Sequence, residues 1–458
     1  MTNLWSGRFD TAPDAAAFAF GESFSFDRRL FEDDVTGSLA WARALAGAGV
    51  LPGDDAAAIQ AALADILRQG RDTPAFISGP DEDVHSFVER LLVERVGDAG
   101  RRLHTGRSRN EQVSLDLRLY LRRRIPMLQR GMAALVDALA TQAAQAGDAL
   151  MPSFTHFRPA QPVLVAHFFL AHVAPLRRDF DRLTLARDEA DALTLGSGAI
   201  AGTAYPIDVE ALARDLGFSR VVANSIDASS DRDFAATFLY ACTTAMVHLS
   251  RLAEDLIIFS GDEHRFFELS DALSTGSSMM PQKKNPDPLE LVRGKSGRML
   301  GHLVALLTTM KGIPGGYNKD LQEDKQGVFD AEDTLAGCLA VVRSVVGGLT
   351  LNRERAEAAA SGLLLATDVA DYLVGRGVPF RRAHEVVGAL VRQLVADKRD
   401  FASLTLAEWR AASDLFEPDI AARITARQSV AAKRTPQSTE PGAVALRLAD
   451  VRRWLDGL

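Results

Sequence analysis

Apolar positions recur at helical spacing along most of this chain. Ile59, Leu63, Ile66 and Leu67 fall on one helical face, as do Phe234, Phe238, Ala241 and Ala245. Leu335, Leu339, Val342 and Val346 form a third stripe. Between Asp233 and Ser260 there is neither proline nor glycine, which predicts one long helix. One stretch reads two ways. Leu115, Leu117, Leu119 and Leu121 alternate as a strand would, whereas Val113, Leu117, Tyr120 and Leu121 fit a helix. Ser108 followed by Glu111 has the spacing of a capping box, so helix is the preferred reading.

Loop signals concentrate at Phe76–Asp83, Met151–Pro162, Leu195–Pro206, Thr275–Pro288 and Gly312–Lys319. Together these patterns predict an all-α fold in three helical domains. Their boundaries are set at 1–108, 109–359 and 360–458, with the central domain a bundle of long helices. Abundant alanine suits close helix packing.

Composition narrows the class. At 47% apolar residues there is material for a large core, yet no run of about 18 uncharged apolar residues could span a membrane. The opening MTNLWSGRFD lacks the basic-then-apolar layout of a signal peptide. The two cysteines, Cys242 and Cys338, form no metal or redox motif, and a cytoplasmic location is expected. The net charge of −8 argues against non-specific nucleic-acid binding. It leaves an anionic small substrate open, since a site needs only a few local positive charges.

Four segments concentrate chemistry. His104–Asn110 (HTGRSRN) places arginines, hydroxyls and an amide at a helix start, where free N–H groups favour an anion; a plain helix cap is the competing reading. Ser153–Pro162 (SFTHFRPAQP) holds His156 in a proline-stiffened polar loop, and histidine is the readiest acid or base near neutral pH. Gly276–Pro286 (GSSMMPQKKNP) sets two serines against Lys283, Lys284 and Asn285. A serine can act as a base only where positive charge or oriented donors stabilise its alkoxide. Gly315–Lys325 (GYNKDLQEDK after the first glycine) mixes both charge signs and suits a substrate that does the same. Each segment alone could be an ordinary solvated loop or helix end. No HxxxH, CxxC, P-loop or GxGxxG pattern occurs, so neither a metal site nor nucleotide chemistry is expected.

These blocks together resemble the argininosuccinate lyases of the aspartase/fumarase superfamily. GSSMMPQKKNP is similar to the superfamily's signature loop, in the form of the argininosuccinate branch rather than the MPGKVNP of fumarases and aspartases. HTGRSRNEQV, SFTHFRPAQP, GYNKDLQEDK, LWSGRF, GESFSFDRRL and PDEDVHSFVE match in one order from about residue 4 to residue 330. The segment SVAAKRTPQSTEPGAV departs from the expected glycine-rich turn. The resemblance implies Ser277 as catalytic base and His156 on the acid side. It has Glu290 holding the histidine, and Lys283 and Asn285 stabilising the intermediate. Ser23, Asn110, Thr155, Tyr317, Gln322 and Lys325 are implied to bind substrate, with Arg109 and His85 beside them. It further implies a homotetramer built on a shared helical core, active sites drawn from several subunits, and no cofactor. A sibling fumarate-releasing lyase, a non-enzymatic delta-crystallin-like protein and a helical scaffold are the alternatives.

Overall fold

Ser108 and Glu111 open the longest helix of the molecule, as their spacing predicts. The Glu111 carboxylate accepts the Ser108 backbone N–H at 3.0 Å, while the Ser108 hydroxyl accepts from Asn110 N at 3.3 Å. The reciprocal arm of the box is thus met one residue early. The computed structural model describes residues 14–458; LWSGRF lies outside the described residues.

The main elements are α1 (Phe31–Gly47), α2 (Gly53–Asp72), α3 (Val84–Val96), α4 (Arg109–Ala146), the strands β1 (Leu150–Thr155) and β2 (Arg158–Leu164), α5 (Val165–Ala190), α6 (Asp233–Ser260), α7 (Asp287–Met310) and α8 (Asp324–Gly347). Shorter helices follow, among them α9 (Ala366–Val374) and α10 (Phe380–Ala396). The all-α expectation holds, as does helix over strand at 113–121. With 38 residues, α4 is about 57 Å long at the standard rise.

The predicted stripes are the buried ones. Ile59, Leu63 and Ile66 are closed to solvent on α2, Phe234, Phe238, Ala241 and Ala245 on α6, and Leu335, Leu339, Val342 and Val346 on α8. One local expectation is corrected. Met151–Pro162 is not an irregular loop but an antiparallel hairpin, with Leu150 paired to Leu164 and Thr155 to Arg158. Pro159 and Pro162 are tolerated because the ladder has only two strands, so each strand keeps an edge free of partners.

The chain divides into two compact units. The first comprises 1–129, 179–244 and 297–335; the second comprises 130–178, 245–296 and 336–458. In the first, Arg29 pairs with Glu332 and Asp333 and donates to the Tyr120 hydroxyl at 2.6 Å. In the second, Val369, Leu373, Val387 and Leu394 surround Trp409, whose ring stacks on Phe401 at 5.6 Å between centroids. Part of the segment that departs from the expected glycine-rich turn forms a tie. The Thr439 hydroxyl accepts the Leu164 N–H at 2.8 Å, and Lys433 pairs with Asp368 at 3.2 Å. Thr439 therefore secures the base of the β1–β2 hairpin.

Candidate functional site

In the first unit, Ser23, His85, Arg109, Tyr317, Gln322 and Lys325 line one cavity of about 1040 Å³. They arrive there by different routes. Ser23 precedes a short helical turn, and its hydroxyl donates to Asp27 Oδ2 at 2.5 Å. Asp27 also accepts Val84 N–H at 2.9 Å. Burial pushes the Asp27 carboxyl up to about 7, against the opposing pull of the Ser23 hydrogen bond. His85 lies in the first turn of α3, and Arg109 begins α4 and faces Asp83 at 3.4 Å.

Tyr317, Gln322 and Lys325 come from the segment that ends the Gly315–Gly316 turn and enters α8. The Gln322 amide donates to Gly21 O at 3.2 Å. Burial raises the Tyr317 phenol to about 12, so it is a hydroxyl donor at neutral pH. The Lys325 ammonium donates to Asp324 at 2.8 Å, and Arg232 pairs with the other Asp324 oxygen. Burial would raise the Asp324 carboxyl, but those two cations outweigh it and hold it low. Lys325 is in this way a fixed, buried positive charge.

Asn110 follows Arg109 on α4 but is not part of this lining. Its amide donates to Ala199 O at 3.3 Å. That loop is held to the helix start by Glu111, whose second oxygen accepts Gly198 N–H at 3.0 Å. Gly198 has φ 58°, and a Cβ there would sit 2.5 Å from Gly202 O, so glycine is required.

The second unit holds the remaining residues. Thr275–Gly276 pairs antiparallel with Lys284–Asn285, so the signature segment closes as a small hairpin around Ser277–Lys283. Ser277 Oγ accepts from Met279 N at 3.2 Å and Met280 N at 3.0 Å. The two lysines of the loop differ. Lys284 is spent on Glu268 at 2.7 Å and Asp271 at 2.8 Å, while Lys283 makes no ion pair among the described residues. Asn285 reaches the Thr275 hydroxyl at 3.4 Å. Met279, at the loop's outer edge, is 79% exposed.

His156 occupies the tip of the β1–β2 hairpin. It and Phe157 form the two-residue turn, with φ 54° and 56°, the left-handed pair of a type I′ turn. Asparagine and glycine ordinarily take these positions, and Phe157 is 83% exposed. Thr155 and His156 are exposed as well. Among the described residues the His156 ring makes no hydrogen bond, so the chain alone does not join it to Glu290. Glu290 lies in the first turn of α7 and has Arg293 at 3.9 Å.

The expected residues therefore fall into two groups: the cavity lining, with Asn110 outside it, in one unit, and a serine–lysine–asparagine loop, Thr155, His156 and Glu290 in the other. The sequence reading missed several buried groups of the first unit. His85 Nδ1 lies 2.8 Å from Asp34 and 3.3 Å from Asp116. Ligand atoms of these three side chains are close enough to share a cation. Asp27, Asp34 and Asp116 sit in ordinary-looking helical sequence, and only long-range packing brings them to Ser23 and His85.

The comparisons with known proteins agree on one family. A lyase family model matches residues 7–301, and an argininosuccinate lyase C-terminal model matches residues 363–431. The chain is 48% identical to argininosuccinate lyase of Moorella thermoacetica over 459 aligned residues, covering 99% of this chain and 98% of that one. It is also 48% identical to argininosuccinate lyase of a Roseiflexus species, covering 99% of this chain and all of that one. Among solved structures, an EDDS lyase in complex with formate aligns with a TM-score of 0.83 at 25% identity, over 98% of this chain and 93% of that chain. A class II fumarase of Schistosoma mansoni shares the fold, with a TM-score of 0.76 at 16% identity over 89% of this chain and 91% of that chain. No helix among the described residues is long and apolar enough to cross a membrane. With matches running almost end to end, the chain belongs to the argininosuccinate lyase family.

Proposed function

We propose that this protein cleaves argininosuccinate to arginine and fumarate by base-catalysed β-elimination. The observation that carries this reading is the signature loop, in which Ser277 Oγ accepts from two backbone donors while Lys283 makes no ion pair among the described residues. Those are the features an alkoxide base and a developing anion require. Ser277, as alkoxide, takes the proton from the carbon beside a substrate carboxylate. The electron pair spreads into that carboxylate, where Lys283 and Asn285 stabilise it. It then forms the C=C bond of fumarate as the C–N bond breaks, and the departing guanidinium nitrogen receives a proton from the His156 side, with Glu290 orienting the ring. Every electron pair stays within substrate and protein, and the reaction calls for no cofactor.

The cavity of the first unit suits the amino-acid end of the substrate. Lys325 supplies a buried positive charge, and Tyr317, Gln322 and Ser23 supply neutral polar groups. Arg109 and His85 also line it, and Asn110 and Thr155, which lie outside that lining, complete the binding set. We assign the working form as a homotetramer in the cytoplasm, each active site combining residues of several subunits. The unpartnered hairpin tip of His156 and the exposed Met279 support this. The three-part division at 108 and 359 remains our reading of the domains along the chain. Fumarate release measured from argininosuccinate, adenylosuccinate and aspartate tests the assignment. Turnover with argininosuccinate alone is expected, and turnover only with one of the others would reject it.

A further inference from the structure

The buried cluster around His85 has a use beyond filling space. Asp34 on α1, His85 on α3, and Arg107, Gln112 and Asp116 at and within the start of α4 are all enclosed. Gln112 donates its amide to Asp34, and Arg107 donates to Ser38 at 3.1 Å. His85 Nδ1 faces two carboxylates, at 2.8 and 3.3 Å, and carboxylates accept hydrogen bonds. Nδ1 must therefore carry a hydrogen. The other ring nitrogen, Nε2, is buried and has no hydrogen-bond partner among the described residues, although His85 belongs to the cavity lining.

Burial fixes the state of the ring. Arg107 is enclosed as well and interacts with Asp34, Asp116, Glu111 and Glu89. Asp116 is wholly enclosed, and burial together with the neighbouring charges of Asp34 and Asp33 holds its carboxyl well above the usual range. An imidazolium would carry its second N–H on Nε2, buried and without an acceptor among the described residues, so the ring is neutral.

The geometry points to Asp34 and Asp116 as positioning residues that lock His85 in its neutral Nδ1–H form and present a bare Nε2 acceptor to a hydrogen-bond donor of the substrate. The lining of the whole cavity carries six carboxylates and five lysine or arginine side chains. The donor that fits is an ammonium or guanidinium N–H, not a second carboxylate. The identity of that group rests on the argininosuccinate reading; the state of the ring does not.

The test is solid-state ¹⁵N NMR of the full chain with ring-labelled histidine, His85 being assigned from the signals lost in His85→Gln. At pH 7, without substrate, one protonated and one bare nitrogen are expected for His85, with the proton on Nδ1. Equivalent, doubly protonated nitrogens, or a proton on Nε2 alone, would overturn the proposal, and the parent protein suffices for this arm. Asp34→Asn offers an amide donor to the ring and should flip it to the Nε2–H form. This is the same logic by which an Asn in place of the triad Asp gives the wrong tautomer in serine proteases. The KM for argininosuccinate should then rise by roughly tenfold or more, with a smaller change in kcat, and Asp34→Glu should recover part of the loss. Asp116→Asn alters only the more distant partner, at 3.3 Å, and should leave the tautomer at Nδ1–H because Asp34 still accepts at 2.8 Å; a flipped ring in that variant would refute Asp34 as the residue that sets the tautomer. If fumarate is not released from argininosuccinate, the substrate reading fails while the ring measurement stands.

Discussion

The hydroxyl oxygen of Ser277 accepts the backbone N–H of Met280 at 3.0 Å, inside the loop that the Thr275–Asn285 pair closes. An amide donor aimed at a hydroxyl oxygen orders the neutral serine turn and would hold an alkoxide more strongly still, because a charged acceptor strengthens the bond. The resting loop is in this sense already shaped for the ionised form of its serine.

Ser277→Ala should accordingly lower kcat by roughly 10²–10⁴-fold while KM changes by no more than about threefold, as for a group used in the transition state alone. Steady-state fumarate release gives both constants. Turnover close to that of the parent would move the base to His156 or to a bound water.

The two adjacent lysines should separate cleanly. Lys283→Met is expected to reduce kcat by about 10²-fold or more, since a charge that stabilises the anionic intermediate is gone, and to leave the loop as ordered as before. Lys284→Met removes the ties to Glu268 and Asp271. It should show first as faster amide hydrogen exchange across residues 268–285. The same exchange profile for both variants would contradict the division of labour.

Mixed assemblies test whether sites are shared. His156→Asn and Lys283→Met proteins, each inactive alone, should regain part of the parent activity when co-assembled. Light scattering should report the tetramer mass for parent and mixture alike. No recovery in a verified mixed tetramer would mean that each site is built within one chain.

Glu111 gives a pH signature. Burial raises its carboxyl from 4.5 to about 7, ahead of the opposing Ser108 and Gly198 hydrogen bonds. A carboxyl raised on folding is penalised only once it ionises. Its contribution to stability is therefore unchanged below about pH 4.5, declines between there and about 7, and stays low above. At 1.36 kcal/mol per unit the decline is at most ~3 kcal/mol. Melting temperatures from pH 5 to 8 should fall more steeply for the parent than for Glu111→Gln. Parallel curves would show that Glu111 does not titrate in this window.

Much of this was legible in the sequence. Helical periodicity placed the buried faces of α2, α6 and α8, because burial on one side of a helix is written locally. The Ser108–Glu111 spacing settled the start of α4 for the same reason. The signature segments gave the candidate residues, but not which of them meet. Ser23 and Lys325 are some 300 positions apart and reach one cavity only through the fold. The difference between Lys283 and Lys284 was also invisible, since it depends on Glu268 and Asp271 lying under one lysine and not the other. The hairpin at Met151–Pro162 was hidden by its prolines, which argue against a strand unless the ladder is only two strands wide. The buried Asp34 and Asp116 carried no local mark at all.

The five long helices have a consequence for how such a protein can change. The boundary between the compact units falls within α4, α5, α6, α7 and α8, so the chain passes from one unit to the other five times, each time in mid-helix. No single cut in the gene separates the cavity residues from the elimination residues, and a recombinant that exchanged one unit for a relative's would need five crossovers inside helices. The two groups of residues are inherited together, and neither can be exchanged as one contiguous module.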